Sequence, residues 1–138
     1  MARRDIYHNV VKKALVSEGW IITHDPYVIP FGKHKLFVDL GAERLIAAEK
    51  EGHRIAIEIK SFVGYSEVDD LENALGQYLL YRSLLQRSEP NRIIYLAVSE
   101  ATYEGIFSDP IGQVALKDYG LHLLLFNPDE EANLQWIE

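Results

Sequence analysis

The chain has no cysteine. That excludes a disulfide framework, a thiolate metal centre and a cysteine nucleophile, and it agrees with a reducing, cytoplasmic setting. No apolar run approaches the roughly 18 residues that span a bilayer, so no membrane association is expected. The start, Met1-Ala-Arg-Arg-Asp5, passes straight into an amphipathic pattern without the apolar stretch of a signal peptide. Repeats, low-complexity tracts and interdomain linkers are also missing, which leaves residues 1–138 as one domain long enough to bury a core. Cations are in the minority: 14 Lys and Arg face 21 Asp and Glu, a net charge of −7. A surface that is basic all over is thereby excluded, although a local basic patch or a bound metal ion can still meet a polyanion. The five histidines are scattered, without zinc-ligand spacing.

What is present alternates between helix and strand signals. Ile6, Val10 and Ala14 recur at helical spacing, with Val11 and Leu15 beside them, and predict a helix from about Asp5 to a cap at Gly19. Trp20–Thr23 reads as a short strand, Pro26 and Pro30 as loop, and Lys35–Leu40 as a second strand. Arg44–Ala48 and Arg54–Phe62 form a hairpin pair turning at Gly52. Ser66 with Asp69 reads as a capping-box variant opening a helix over Glu67–Arg87, with Leu71, Leu75 and Tyr78 inward. Arg92–Val98 is a further strand. Asp109-Pro110 opens a short helix that Gly120 ends, and Leu121–Phe126 is a last strand stopped by Asn127-Pro128. This order predicts an α/β fold with a central mixed sheet flanked by helices on both faces.

The chemistry concentrates in one of these strands. In Arg54–Phe62, Ile55, Ile57 and Ile59 point to one face, while Ala56, Glu58 and Lys60 point to the other. Both faces of a mid-chain strand flanked by helices are covered, and a carboxylate and an ammonium on a covered face need partners or a function. Asp39, nineteen positions before Glu58, ends the apolar stretch Leu36-Phe37-Val38 and is the best second carboxylate. On the helix after the Glu58-Ile59-Lys60 strand, Gln77 and Tyr81 stand four apart and share a face beside the Leu71/Leu75/Tyr78 stripe. Taken alone, that pair is better explained by a polar helix edge.

Asp39, Glu58-Ile59-Lys60 and Gln77-x-x-x-Tyr81 resemble, in that order, the signature of the PD-(D/E)xK nuclease superfamily, with Val38 where a proline often precedes the motif Asp. The resemblance implies a restriction-endonuclease-like core. Its site would hold Mg²⁺ or Mn²⁺ on Asp39, Glu58 and the Ile59 carbonyl, use Lys60 on the attacking water, and place Gln77 and Tyr81 beside them. Glu43, Glu49, His8 and Lys12 are weaker candidates for further contacts: Glu49 equally fits a solvated hairpin, and His8 a satisfied surface histidine. Arg3, Arg4, Lys12 and Lys13 make the first helix basic enough to touch a phosphate backbone, although a solvated face explains them too. Trp20 and Trp136 read as packing residues.

A second resemblance spans Asp5 to about Trp136. Val38-Asp-Leu-Gly-Ala-Glu43, Ile46-Ala-Ala-Glu49, Ile57-Glu-Ile-Lys-Ser-Phe62, Asp70-Leu-Glu-Asn-Ala-Leu-Gly-Gln77 and Asp109-Pro-Ile-Gly-Gln113 are similar to the XisH family, the cyanobacterial fdxN-element excision controlling factors. It implies an accessory of programmed DNA excision that acts with a site-specific recombinase and a small XisI-like partner protein. Two functions therefore stand at this point. One is a metal-dependent endodeoxyribonuclease working on DNA, plausibly as a homodimer. The other is a non-catalytic accessory that binds DNA or protein and steers the recombinase.

Overall fold

The computed structural model describes residues 3–31, 34–36 and 45–138. Helix α1 (Arg3–Ser17) buries Val10, Val11, Ala14 and Leu15. Gly19, at φ 96°, turns the chain into strand β1 (Ile21–His24). β2 (Ile29–Phe31) and β3 (His34–Leu36) pair with each other as a separate two-stranded ribbon. β4 (Leu45–Lys50) and β5 (His53–Ile59) form the expected hairpin. Its two turn residues, Glu51 (φ 51°) and Gly52 (φ 85°), are both left-handed, as a two-residue primed turn requires.

Helix α2 (Glu67–Ser88) starts where Ser66 Oγ accepts the Asp69 N–H at 3.2 Å, and its first turn carries Glu67, Asp69 and Asp70. β6 (Arg92–Ser99) lies parallel to β5. Helix α3 (Glu100–Glu104), a 3-10 turn (Ile106–Ser108) and helix α4 (Pro110–Tyr119) lead to Gly120, which is left-handed at φ 59° as a C-terminal cap. β7 (Leu123–Asn127) lies parallel to β6, and β8 (Glu130–Ile137) runs back along it. The six-stranded sheet has the order β1-β4-β5-β6-β7-β8. The molecule is thus α/β, with a mixed sheet between helices, as the order of signals predicts.

The sheet separates two apolar layers. On one side α1 packs Val10, Val11 and Leu15 on Ile55, Ile57, Ile59, Tyr95 and Phe126. On the other, α2 packs Leu71, Ala74, Tyr78, Tyr81 and Leu85 on Leu45, Ala47, Ala56, Leu96 and Leu123. Fully buried side chains such as Tyr78, Phe107 and Phe126 contribute about 1.5–3 kcal/mol each by leaving water. Gly112 is where α4 touches the 3-10 turn: a Cβ there would stand 2.0 Å from the Ile106 carbonyl oxygen, so no larger residue fits.

Several expectations need correction. β2, which lies where Pro30 was expected in a loop, is an addition, as are α3, the 3-10 turn and β8. The stop at Asn127-Pro128 is a hairpin turn, closed by the Asp129 N–H on Asn127 Oδ1 at 2.9 Å. β8 shows the signal that would have found it, because Leu134 and Trp136 alternate toward the α1 layer. β4 runs on to Lys50, and β5 ends at Ile59, short of the expected Phe62, where the chain is left-handed (φ 50°). The strand expected over Lys35–Leu40 is described only at its start, where β3 joins β2 rather than the large sheet. Asp109 stands at the N-cap of α4 with Pro110 at the first position, but its carboxylate makes no capping bond. Among the described residues no helix is long and apolar enough to cross a membrane.

Candidate functional site

β5 alternates as read from the sequence. Ile55, Ile57 and Ile59 enter the α1 layer and Ala56 the α2 layer, so Glu58 and Lys60, in phase with Ala56, face α2. Leu45 of β4 and Leu96 of β6 flank Glu58 in register. Glu58 is fully buried and Lys60 is 8 % exposed. Lys60 Nζ stands 3.8 Å from Glu58 Oε2 and donates to Gln77 Oε1 at 2.5 Å, while its main-chain N–H donates to Ala97 O at 3.0 Å. Three of the residues singled out in the sequence therefore meet at the C-terminal end of β5, under α2. Ile59, whose carbonyl belongs to the expected set, is buried between them in the chain.

Tyr81 departs from its expected place. Its side chain is buried with Leu71, Ala74, Tyr78 and Leu85, the 3–4 spaced inner face of α2, and so belongs to the packing stripe rather than beside it. Leu75, expected in that stripe, is only partly buried at its flank. Tyr78 is anchored by its hydroxyl, which donates to Ile94 O at 3.3 Å and accepts the His122 N–H at 3.1 Å. Burial pushes its phenol pKa above the ordinary value.

The segment after Lys60 is held from both sides. Ser61 is buried, and Phe62 meets Phe107 edge-on at 5.9 Å. A bulky residue at positive φ costs about 1–3 kcal/mol and persists only where neighbours fix it. Two residues on, the Gly64 N–H donates to Asp70 Oδ2 at 2.9 Å, and a Cβ on Gly64 would stand 2.7 Å from Asp70 Oδ1. Val63 is half exposed and Tyr65 wholly so. The left-handed turn at Phe62 leaves no trace in residue type.

His8 and Lys12 belong to a different cluster. His8 Nε2 stands 3.0 Å and Lys12 Nζ 2.6 Å from the same oxygen, Asp25 Oδ2. Burial works to raise the Asp25 pKa, but the hydrogen bonds and charges of Lys12 and His8 outweigh it and hold the carboxyl below its ordinary value. His8 is buried, not the surface histidine that the sequence suggested. Asp25 is tied toward the Glu58 end of the sheet, since the Tyr27 N–H two residues later donates to Leu45 O at 2.6 Å. α1 nevertheless lies across the sheet from α2, and the described contacts do not join His8 or Lys12 to Glu58 or Lys60. Nothing in the sequence around Asp25 marked it as their partner. Glu49 is a half-exposed hairpin residue with its carboxylate 3.8 Å from Arg54 Nε. Asp39 and Glu43 lie outside the described residues.

For a divalent cation, the described donors are Glu58 and the Ile59 carbonyl. An all-oxygen set of one or two carboxylates, a carbonyl and waters is the donor chemistry of Mg²⁺, and these two residues fit that type. Among the described residues no group of three or more His, Cys, Asp or Glu is placed to hold a metal ion. Asp39 is the carboxylate that the motif would add.

Comparison with known proteins places the chain in a family. No curated protein matches the chain. Solved structures that match it include two crystal structures, each at 38% sequence identity and over 97% of this chain. One is an XisH family protein from Nostoc punctiforme PCC 73102, matched over 100% of its length with a TM-score of 0.88. The other is a fdxN element excision controlling factor protein from Anabaena variabilis, matched over 99% with a TM-score of 0.87. The family model described as XisH protein matches residues 1–134, and the chain therefore belongs to the XisH family.

Proposed function

We propose that this XisH family protein is an accessory of programmed DNA excision whose Glu58/Lys60 centre hydrolyses phosphodiester bonds in DNA with Mg²⁺ or Mn²⁺. The observation that carries the proposal is the pairing of a fully buried carboxylate, Glu58, with Lys60 two residues later on the same strand face, the lysine seated on Gln77. Withdrawing a carboxylate and an ammonium from water has a cost that their pairing only offsets, and groups held in that way cluster at functional sites.

In this reading Glu58, the Ile59 carbonyl and Asp39 would hold the cation. A divalent ion bound there would lower the pKa of a water and polarise the scissile phosphate. Lys60 positions the attacking water and offsets the negative charge that grows on the phosphoryl oxygens. Gln77 fixes the direction of the Lys60 ammonium through its 2.5 Å hydrogen bond. Water oxygen bonds to phosphorus as the bridging oxygen leaves with a proton. Tyr81 supports α2 from within the core.

The test is cleavage of supercoiled and branched DNA with Mn²⁺ or Mg²⁺, by the parent protein and by Lys60→Ala. Nicking or linearisation by the parent that Lys60→Ala lacks supports the enzyme. Equal activity of the two proteins, or none from either under any condition, removes it.

A second reading is a non-catalytic accessory that binds a site-specific recombinase or a small XisI-like partner. The wholly exposed Tyr65 and the exposed Val63 favour it, standing beside the acidic first turn of α2. Apolar groups with Glu67 and Asp69 next to them suit a basic protein better than a phosphate backbone. Tight partner binding without any cleavage supports this reading.

A further inference from the structure

α1 stops at Ser17 and leaves the N-terminal ends of β5 and β6 uncovered on its side of the sheet. A cavity of about 500 Å³ opens there, within the size range of small-ligand sites. It lies across the sheet from Glu58 and roughly 13 Å along β5 from it, four residues at strand rise.

Its walls are aromatic. Trp20, Tyr95 and Trp136 line it, and the two indoles are 5.7 Å apart. These are the only tryptophans in the chain. Its floor includes Ile93, 47 % exposed although β6 is an interior strand of the sheet. At the rim the β4–β5 hairpin brings the Lys50 ammonium and the His53 imidazole, while the Arg54 guanidinium beside them is held by Glu89 at 2.9 Å and Glu49 at 3.8 Å. Lys50 Nζ stands over the Trp20 ring at 5.9 Å, and its aliphatic stem passes the bare Cα of Gly19, where a Cβ would come within 3.3 Å. Two carboxylates also line the cavity, and each already accepts a hydrogen bond from a wall: Glu18 from Trp136 Nε1 at 3.2 Å and Glu138 from the Tyr95 hydroxyl at 2.5 Å. Those bonds orient the rings, and Lys50 is the hairpin cation that faces a ligand.

A flat apolar ring with an anion at one end matches these features. We propose that this cavity binds a nucleotide unit, with the base against Trp20 and Trp136 and the phosphate at Lys50 beside the His53 imidazole. Such a unit has two sources, a free mononucleotide or the 5′-phosphorylated end of a DNA strand. Stacking on indole and attraction to the Lys50 ammonium serve both.

Both tryptophans report on this cavity, so fluorescence excited at the indole edge reads it directly. The full-length parent is titrated with dAMP, with deoxyadenosine, with orthophosphate and with short single strands with and without a 5′-phosphate. Saturable quenching by dAMP at concentrations below about 10 mM, weakened about tenfold or more in Lys50→Glu and absent with deoxyadenosine, supports the site. A strand that binds only when 5′-phosphorylated assigns it to DNA ends, and binding by dAMP alone assigns it to free nucleotide. No saturable change with any nucleotide, equal binding of dAMP and deoxyadenosine, or unchanged affinity in Lys50→Glu overturns the proposal. Shifts of the two indole N–H signals in an NMR spectrum give the same decision if quenching is small. Neither readout depends on Glu58 or Lys60, so this site stands or falls apart from the hydrolytic centre.

Discussion

Removing charge from the buried pair on β5 measures how far Glu58 and Lys60 depend on each other. With 3.8 Å between Nζ and Oε2, an effective dielectric of about 20 puts their attraction at about 4 kcal/mol. Lys60→Met deletes the ammonium and leaves the wholly buried Glu58 carboxylate without it, a change that costs about 3–5 kcal/mol. Glu58→Gln keeps the shape and removes the anion. Lys60 then retains Gln77 at 2.5 Å, so the expected cost is lower, about 1–3 kcal/mol. In the double variant neither charge is buried, and the loss should fall short of the sum of the singles by about 2–4 kcal/mol. Urea unfolding of the four proteins in EDTA, followed by far-ultraviolet circular dichroism, gives the cycle. Singles that add to within about 0.5 kcal/mol would refute the coupling, and with it the argument that this strand face is built around an ion pair.

Three further outcomes follow from the geometry. Mg²⁺ or Mn²⁺ at 100 times its dissociation constant should stabilise the parent by about 2.7 kcal/mol, and Glu58→Ala should abolish the melting shift; equal shifts in both proteins would remove the metal assignment. Burial raises the phenol pKa of Tyr78 and, with Glu138 adding to it, of Tyr95, from the ordinary 10.0. A raised folded-state pKa means that their stabilising contribution is whole below pH 10.0 and is lost as pH climbs toward the folded values, by about 1.4 kcal/mol per pH unit for each group; alkaline melting curves should show this, and Tyr95→Phe should flatten them. Gly112→Ala forces a methyl against the Ile106 carbonyl and should cost about 3 kcal/mol, or roughly 10 °C in melting temperature. A calorimetric scan unchanged by that substitution would contradict the close approach of α4.

Much of the architecture was legible because two periodicities are strong here. Ile55, Ile57 and Ile59 against Ala56, Glu58 and Lys60 announced a strand covered on both faces, and both faces are covered. Ser66, Gly52, Gly19 and Gly120 marked element ends by their own chemistry. What escaped reading depends on distant partners. β8 exists because β7 offers it an edge, and its polar residues disguised the alternation of Leu134 and Trp136. Tyr81 could not be assigned to the core from a spacing that suits both faces of a helix edge. At the candidate site, Glu58 and Lys60 share a face as strand spacing predicts and Gln77 meets Lys60 as the resemblance implied, while His8 and Lys12 were drawn to Asp25, a pairing that needs the third dimension to be seen.

The strictness of β5 has a consequence for how this protein can fail. Side chains on a strand exchange faces when pairing shifts by a single residue. A hairpin slipped by one place would drive Glu58 and Lys60 into the apolar layer of Val10, Val11 and Leu15 and turn Ile57 and Ile59 toward Gln77. Two unsolvated charges in that layer would cost many times the free energy of a misplaced apolar residue. The slipped form therefore stays unpopulated, and a partly assembled centre with its lysine on the wrong side is not a state in which the chain can rest. Its folding acts as an inspection step: a molecule that has closed the β4–β5 ladder has, by the same act, set its chemistry in place.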